Sequence, residues 1–96
     1  MKRAKPVSRV DNAQVRVTEW QFEPGAATGY HRHEFNYVVV PLVDGFLRLV
    51  APGGESSAEH RKGVAYFREA GVEHDVINAS DKPLAFVEIE LLDHPL

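Results

Sequence analysis

The hydrophobic positions of this chain recur at every second residue in short runs, and turn-forming residues separate the runs. Residues 15–22 and 84–92 show this alternation, and residues 37–43 form a nearly continuous β-branched run. Alternation with a period of two is typical of β-strands that bury one face. We find no segment with the 3.6-residue period of an amphipathic helix. The pattern therefore predicts an all-β fold.

The runs, together with the turns between them, predict eight strands. Pro24-Gly25 and Asp44-Gly45 supply the chemistry of tight turns. About eight strands in a chain of 96 residues are typical of a small antiparallel barrel or a double-sheet jelly roll. The predicted strands span residues 15–22, 29–33, 37–43, 46–50, 55–61, 64–67, 73–78 and 84–92.

The phase of the alternation predicts which strand faces are buried. Val15 and Val17 are out of phase with Trp20 and Phe22, and we interpret this change as a bulge in the first predicted strand. In the last strand, acidic side chains such as Glu88 share one face and aliphatic side chains share the other. This second pattern predicts a strand that is half exposed to solvent.

Length and charge limit the domain organisation and the classes of partner. Residues 1–12 are polar and irregular, so we predict a flexible N-terminal arm followed by one domain over residues 13–96. One domain of this size has a thin core, which dimer formation would enlarge. The formal net charge of −3 argues against general binding to nucleic acid or to anionic membranes. A small molecule is the expected partner.

The chain contains no cysteine, which excludes a thiol nucleophile, a disulfide scaffold and an iron–sulfur cluster. The basic residues at the start are not followed by an apolar segment, so we predict no signal peptide. The longest apolar run is interrupted by Pro41 and is too short to cross a membrane. These features together favour the cytoplasm.

Three of the five histidines are spaced so that their side chains could bind the same metal ion. His31 and His33 are two residues apart, so on a strand their side chains project from the same face. His74 begins another predicted strand, and if the two strands meet, three imidazoles converge and can bind a transition metal. Two surface histidines on an edge strand are the simpler interpretation of an isolated pair. His60 and His94 fit no pattern, and we assign both to the surface.

These histidines and the glycines around them resemble the two sequence motifs of the cupin superfamily. The spacing of the first motif is matched by Gly25, His31, His33 and Gly45. The spacing of the second motif is matched by Gly63, Gly71, His74 and Asn78, with Glu69 in the place of the usual proline. We interpret the glycines as turn residues, at which positive φ is expected.

The resemblance covers residues 25–45 and 63–78 and is closest to small, single-domain bacterial cupins of the cupin 2 type. It implies a double-stranded β-helix, which is a jelly-roll β-barrel, and a homodimer. It also implies that His31, His33 and His74 bind one divalent transition metal ion per chain. Fe, Zn, Ni and Mn are all compatible with imidazole ligands.

The glutamate ligand of the cupin motif has no counterpart here, because its expected position is Tyr37 or Val38. Tyr37 is a candidate for an additional ligand or a substrate contact, and the simpler alternative is a half-buried strand tyrosine. The nearest carboxylate is Glu34, which would reach the metal only if the chain turns after His33. The sequence leaves both residues as candidates.

Further residues are candidates for supporting roles around the metal. Asn78 shares a face with His74 and either orients a ligand or caps a turn, and the sequence favours neither role. Any arginine that faces inward would favour an anionic substrate such as a carboxylate. An ordinary surface position is the simpler interpretation for each residue at the predicted pocket mouth, namely Tyr30, Arg32, Arg48, Tyr66 and Arg68.

The resemblance implies a metal-dependent enzyme that acts on a small organic acid or amino acid inside the barrel. Three-histidine iron dioxygenases occur in the cupin family, so a dioxygenase-type oxidoreductase is the first hypothesis, with no catalytic residue assigned beyond the metal ligands. A non-catalytic module that binds or senses a metal or a small ligand is the second. A structural protein with a vestigial site is the third, since fold alone does not establish function.

Overall fold

The computed structural model describes residues 2–92, and within them nine β-strands form two sheets. This part of the chain contains no helix long and apolar enough to cross a membrane. The all-β prediction is confirmed. The strands are β1 (Lys5–Asp11), β2 (Val15–Phe22), β3 (His31–Arg32), β4 (Tyr37–Pro41), β5 (Gly45–Ala51), β6 (Gly54–His60), β7 (Tyr66–Arg68), β8 (Glu73–Asn78) and β9 (Leu84–Leu91).

The two sheets form a jelly roll in which the named strands pair only with antiparallel neighbours. One sheet has the strand order β1-β2-β9-β4-β7, and the other has the order β3-β8-β5-β6. Their inner faces supply one core, where Phe22 and Phe86 of the five-stranded sheet join Leu47 and Val76 of the four-stranded sheet. Burial of these side chains is the main favourable term that holds the sheets together.

The N-terminal segment does not form the irregular arm that the sequence predicted, because Lys5–Asp11 is strand β1 and pairs with β2. The register shifts between Ser8 and Val10, which places a bulge in this strand. An edge strand can be polar, since its backbone hydrogen bonds do not depend on apolar side chains. The hydrophobic pattern therefore gave no sign of β1.

The predicted bulge in residues 15–22 is absent, because β2 pairs with β9 in one continuous register from Val15 to Phe22. Alternation therefore places Val17 on the outer face and Trp20 on the inner face. The change of phase in the sequence arises because both faces of this strand carry apolar side chains. The sequence predicted that the last strand exposes one face to solvent and that its acidic residues share a face. In the structure this acidic face points inward, because Glu88 lies on the same face of β9 as the buried residue Phe86.

Gly45 is required for close packing and not for a positive φ. Gly45 is the first residue of β5, and its φ angle is not positive, in contrast to the expectation from the sequence. A Cβ atom at this position would lie 2.6 Å from Cδ1 of Leu84 and 2.8 Å from Oγ of Ser80. Both distances are shorter than a Cβ normally makes, so any larger residue here would force the side chains of Leu84 and Ser80 to move.

Candidate metal centre

The four-stranded sheet brings the three motif histidines to one point. His31 on β3 is the Cα partner of His74 on β8. His33 follows β3, where its backbone N–H donates to the carbonyl of Val72 (2.9 Å) and its carbonyl accepts from the N–H of Gly71 (2.8 Å). The potential ligand atoms of the three histidines all lie within 4.8 Å of one another. The structure thus assembles the predicted group.

Two of the three distances between the imidazole nitrogens are in the range expected for ligands to a single ion. Nε2 of His33 lies 3.0 Å from Nε2 of His31 and 3.2 Å from Nε2 of His74. Imidazole binds first-row metals at about 2.0–2.1 Å, so two such ligands lie about 2.9 Å apart at a right angle and about 3.4 Å apart at the tetrahedral angle. Both measured distances fall between these values.

The hydrogen bonds of His31 orient a lone pair toward this point. Nδ1 of His31 lies 2.8 Å from the carbonyl oxygen of Gly29. Because a carbonyl only accepts, Nδ1 carries the hydrogen and Nε2 is left with a free electron pair. A backbone partner of this kind is the usual support for a metal-binding histidine. The donor set therefore fits a bound metal ion.

Burial keeps the other two histidines in the form that binds metals. Desolvation is the main cause that lowers the pKa of His33 to about 3 and that of His74 to about 4, and repulsion from His31, if it were protonated, would act in the same direction. Both imidazoles are therefore neutral at pH 7. A metal can bind them without first displacing a proton.

Tyr37 supports the site by packing. Only 2% of its surface is exposed, and its ring stacks on the imidazole of His33. Burial is the largest of the causes that raise the pKa of Tyr37, so its phenol is neutral at pH 7. Glu34 is exposed and lies outside the group of potential ligands, which consists of the three histidines.

The side chain of Asn78 stabilises a turn. Its amide nitrogen donates to the carbonyls of Lys82 (2.8 Å) and Glu23 (3.3 Å), and its amide oxygen accepts from the backbone N–H of Ser80 (2.9 Å). These bonds use both ends of the amide. The structure therefore favours the turn-capping role over the orientation of a metal ligand.

Two spaces adjoin the histidine group. We call the first the inner cavity, which has a volume of about 40 Å³ and a wall formed by Tyr37, Tyr66, Arg68, His74, Phe86 and Glu88 with neighbouring aliphatic residues. We call the second the outer basin, which has a volume of about 310 Å³ and a wall that includes Arg16, Trp20, His31, His33, Glu88 and Glu90. The histidine group lies at the boundary, because His74 faces one space and the other two histidines face the second.

Glu88 is a functional candidate that the sequence analysis missed. It is the acidic residue that lines both spaces. Burial and the neighbouring Glu90 raise the pKa of Glu88 to about 7, while a hydrogen bond from Trp20 opposes the shift. The sequence did contain a signal for this position, because Glu88 is in phase with the apolar residues Leu84 and Phe86 and would therefore point to the same side of the strand.

His60 is buried, although the sequence assigned it to the surface. Only 1% of its surface is exposed, and Nε2 lies 2.7 Å from the hydroxyl of Tyr66. Burial also lowers the pKa of His60. The strand β6 is otherwise polar, so its last residue carried no sequence signal for an inward side chain. His94 lies outside the described residues.

The structure sorts the residues predicted at the pocket mouth into three groups. Tyr66 and Arg68 line the inner cavity, and Arg32 lines the outer basin. Tyr30 and Arg48 line neither space and contact acidic side chains at the surface. Two of the three arginines considered therefore face a space beside the histidine group.

Comparisons with known proteins agree with this architecture. The family model described as "Cupin domain" matches residues 18–90. The Beta-alanine degradation protein BauB of Pseudomonas aeruginosa is 59% identical over 88 residues, which cover 92% of this chain and 93% of that protein.

Solved structures give the same result. A cupin domain from Bordetella pertussis superimposes with a TM-score of 0.91 at 52% identity, over 95% of this chain and 97% of that one. The polyketide cyclase RemF from Streptomyces resistomycificus shares the fold, with a TM-score of 0.74 at 22% identity over 99% of this chain and 71% of that one. The chain belongs to the cupin family.

Proposed function

We propose that this protein is a metal-dependent cupin that acts on a small organic acid or amino acid. The observation that carries the proposal is the convergence of three imidazoles, with Nε2 atoms 3.0 and 3.2 Å apart, at the boundary between two spaces. His31, His33 and His74 would hold one divalent ion, which we expect to be Fe, Zn, Ni or Mn. Three protein ligands leave coordination positions for water or substrate.

The substrate class is supported by the relative from Pseudomonas aeruginosa, whose name refers to the degradation of β-alanine. Identity of 59% over nearly the whole of both chains makes a related role the best-supported choice. We therefore propose that the protein works in the breakdown of a small amino acid or of an acid derived from one. The lack of cysteine suits the reducing cytoplasm, where we place this activity.

The proposed chemistry is that of a dioxygenase-type oxidoreductase. A bound ion would supply Lewis acidity and, in the case of iron, the ability to activate oxygen. The side chains of the chain itself would position the substrate and handle protons. The neutral phenol of Tyr37 would donate a hydrogen bond to the substrate, and Glu88, whose pKa is about 7, would exchange a proton near neutral pH.

A module that binds a metal or a small ligand without turnover is the alternative. It is favoured by the small size of the inner cavity, since about 40 Å³ holds only a few water molecules. Recovery of a bound ligand in unchanged form, with no oxygen consumed, would select this alternative over the enzyme.

Elemental analysis of protein purified without a metal-affinity tag tests the proposal. We expect close to one equivalent of a transition metal per chain, and a loss of most of it in His33→Ala. If the metal is iron, oxygen uptake with small carboxylic and amino acids then tests the dioxygenase chemistry. Failure to retain any metal, even after reconstitution, would contradict the proposed function.

A further inference from the structure

The inner cavity has a cationic side chain on its wall with no acidic partner among residues 2–92. The ion pairs in this part of the chain involve other basic residues, and none includes Arg68. Its side chain donates a hydrogen bond from Nη1 to the backbone carbonyl of Phe67, at 3.2 Å. A guanidinium has five N–H donors, so most of this group's capacity is left for a ligand.

Arg68 is exposed as a residue and lines the inner cavity from the short strand β7, and a series of contacts orients its side chain. Its Cζ atom lies 4.5 Å from the centre of the Tyr66 ring, which is a cation–π contact. The Tyr66 hydroxyl in turn contacts Nε2 of the buried His60 at 2.7 Å. Register pairs Arg68 with Tyr37, so the guanidinium and both phenols share one face of the sheet.

The partners of His60 indicate which way the Tyr66 hydroxyl donates. Nδ1 of His60 is buried and has no hydrogen-bond partner. Because a buried N–H without a partner is rarer than an unpaired acceptor, the hydrogen is better placed on Nε2. Nε2 then donates to the oxygen of Tyr66, and the hydroxyl hydrogen of Tyr66 is free to bond to a group in the cavity.

The charge of Arg68 also acts across the cavity. Burial is the main cause of the shifted pKa values of His60 and Tyr66. The charge of Arg68 lowers the pKa of both groups, which is the effect of a nearby positive charge. Arg68 therefore places a positive charge on a wall that also carries Glu88, and burial of Glu88 disfavours its charged form.

We propose that Arg68 and the Tyr66 hydroxyl bind the carboxylate of the ligand inside the inner cavity. A volume of about 40 Å³ admits a group of that size but no larger part of a molecule. The remainder of the ligand extends past His74 toward the outer basin, which has about 310 Å³. Guanidinium matches the planar geometry of a carboxylate and can bind both of its oxygens. This subsite rests on the proposed function only for the contact between ligand and metal.

Calorimetric titration with propanoate tests the subsite, and propionamide is the matched neutral ligand. We expect Arg68→Gln to weaken propanoate binding about tenfold or more, because a charge-assisted bond is lost. Tyr66→Phe should weaken it by about fivefold, the value of one neutral hydrogen bond. Arg48→Gln is the control, since Arg48 lines neither space. Unchanged melting temperatures would show that the variants are folded.

The same titrations on protein treated with a chelator separate this inference from the proposed function. Binding that depends on Arg68 without metal supports the subsite even if elemental analysis finds no ion. Equal affinity for propanoate and propionamide, wild-type affinity in Arg68→Gln, or no propanoate binding at all would overturn the subsite. If metal is retained in those cases, the metal centre stands without it.

Discussion

The phenol ring of Tyr37 stacks on the imidazole of His33, with ring centroids 3.9 Å apart and 19° between their planes. Tyr37 occupies a position at which the cupin motif places a glutamate ligand. A flat aromatic support therefore stands where a fourth ligand would be. The stack restricts the ring of His33, which is the histidine whose Nε2 contacts both of the others.

Removing this stack should weaken metal binding even though Tyr37 is not among the expected ligands. We expect Tyr37→Leu to lower metal retention several-fold and to reduce the free energy of unfolding by about 1–3 kcal/mol, because a buried ring is lost. Tyr37→Phe keeps the ring and should retain the metal. Elemental analysis and urea unfolding measure the two effects, and equal metal content in both variants would contradict this role.

Replacing single histidines should separate metal binding from stability. His33→Ala and His74→Ala should each lose most of the bound metal. His60→Ala should keep it but lower the free energy of unfolding by about 2–4 kcal/mol, since it creates a cavity and leaves Tyr66 without its partner. Metal content per chain and denaturant unfolding are the measurements. The same metal content in all three variants would rule out the site.

The metal-free protein should lose stability as the pH falls from 7 to 5. In the unfolded chain a histidine titrates near 6.5, whereas the folded state lowers the pKa of His33 to about 3 and that of His74 to about 4. Within this range both histidines bind protons in the unfolded state and not in the folded state, so their stabilisation is complete above pH 6.5 and is lost as the pH falls. Glu88, whose folded-state pKa is raised to about 7, acts in the opposite direction, but one carboxyl offsets only part of the effect of two imidazoles. Melting temperatures in the presence of a chelator test the trend, which His33→Gln should weaken. A flat profile would contradict it.

The sequence predicted strands wherever side chains alternate. The strand over residues 73–78 was predicted with the bounds that β8 has in the structure. Strand β3 contains only His31–Arg32, against a prediction of residues 29–33, because backbone pairing with β8 and not residue preference sets its length. Strand β1 was missed for a related reason. Its polar side chains pack little, and its hydrogen bonds to β2 stabilise it.

The sequence also indicated the histidine group, because the spacing of His31, His33 and His74 is itself the signal. For the wall of the inner cavity it offered Tyr37, Tyr66 and Arg68 only as candidates with a simpler alternative, and it did not indicate Glu88. Whether Glu88, His60 and Arg68 point inward depends on which face of each strand meets the opposite sheet. The face that points inward is set by pairing with strands that are distant in the sequence. The alternation of side chains within a single strand does not specify it.

Adding one methyl group at Gly45 should destabilise the fold. The nearest atoms belong to Leu84, which is itself buried and cannot easily move. We expect Gly45→Ala to lower the free energy of unfolding by about 1–3 kcal/mol through overpacking. Gly53→Ala is the matched control, because a Cβ at that position meets no atom within 4 Å. Urea unfolding of both variants tests the difference, and equal stability would refute it.

The outer face of the five-stranded sheet offers a test of the homodimer expected from the family. Val17, Ile89, Val38 and Phe67 are aligned across four neighbouring strands by the pairing register. These side chains are partly or largely exposed in the single chain. We predict that they pack against a second copy, and that Ile89→Lys yields a monomer by sedimentation. A wild-type chain that is already monomeric would disprove this prediction.

The two sheets divide the work of the site between them. His31 and His74 belong to the four-stranded sheet, with His33 directly after β3, whereas Tyr66, Arg68 and Glu88 belong to the five-stranded sheet. Substitutions in β7 or β9 would therefore change the walls of the two spaces while leaving the three histidines in place. A scaffold built in this way would let the shape and charge of the pocket evolve while the potential metal ligands stay unchanged.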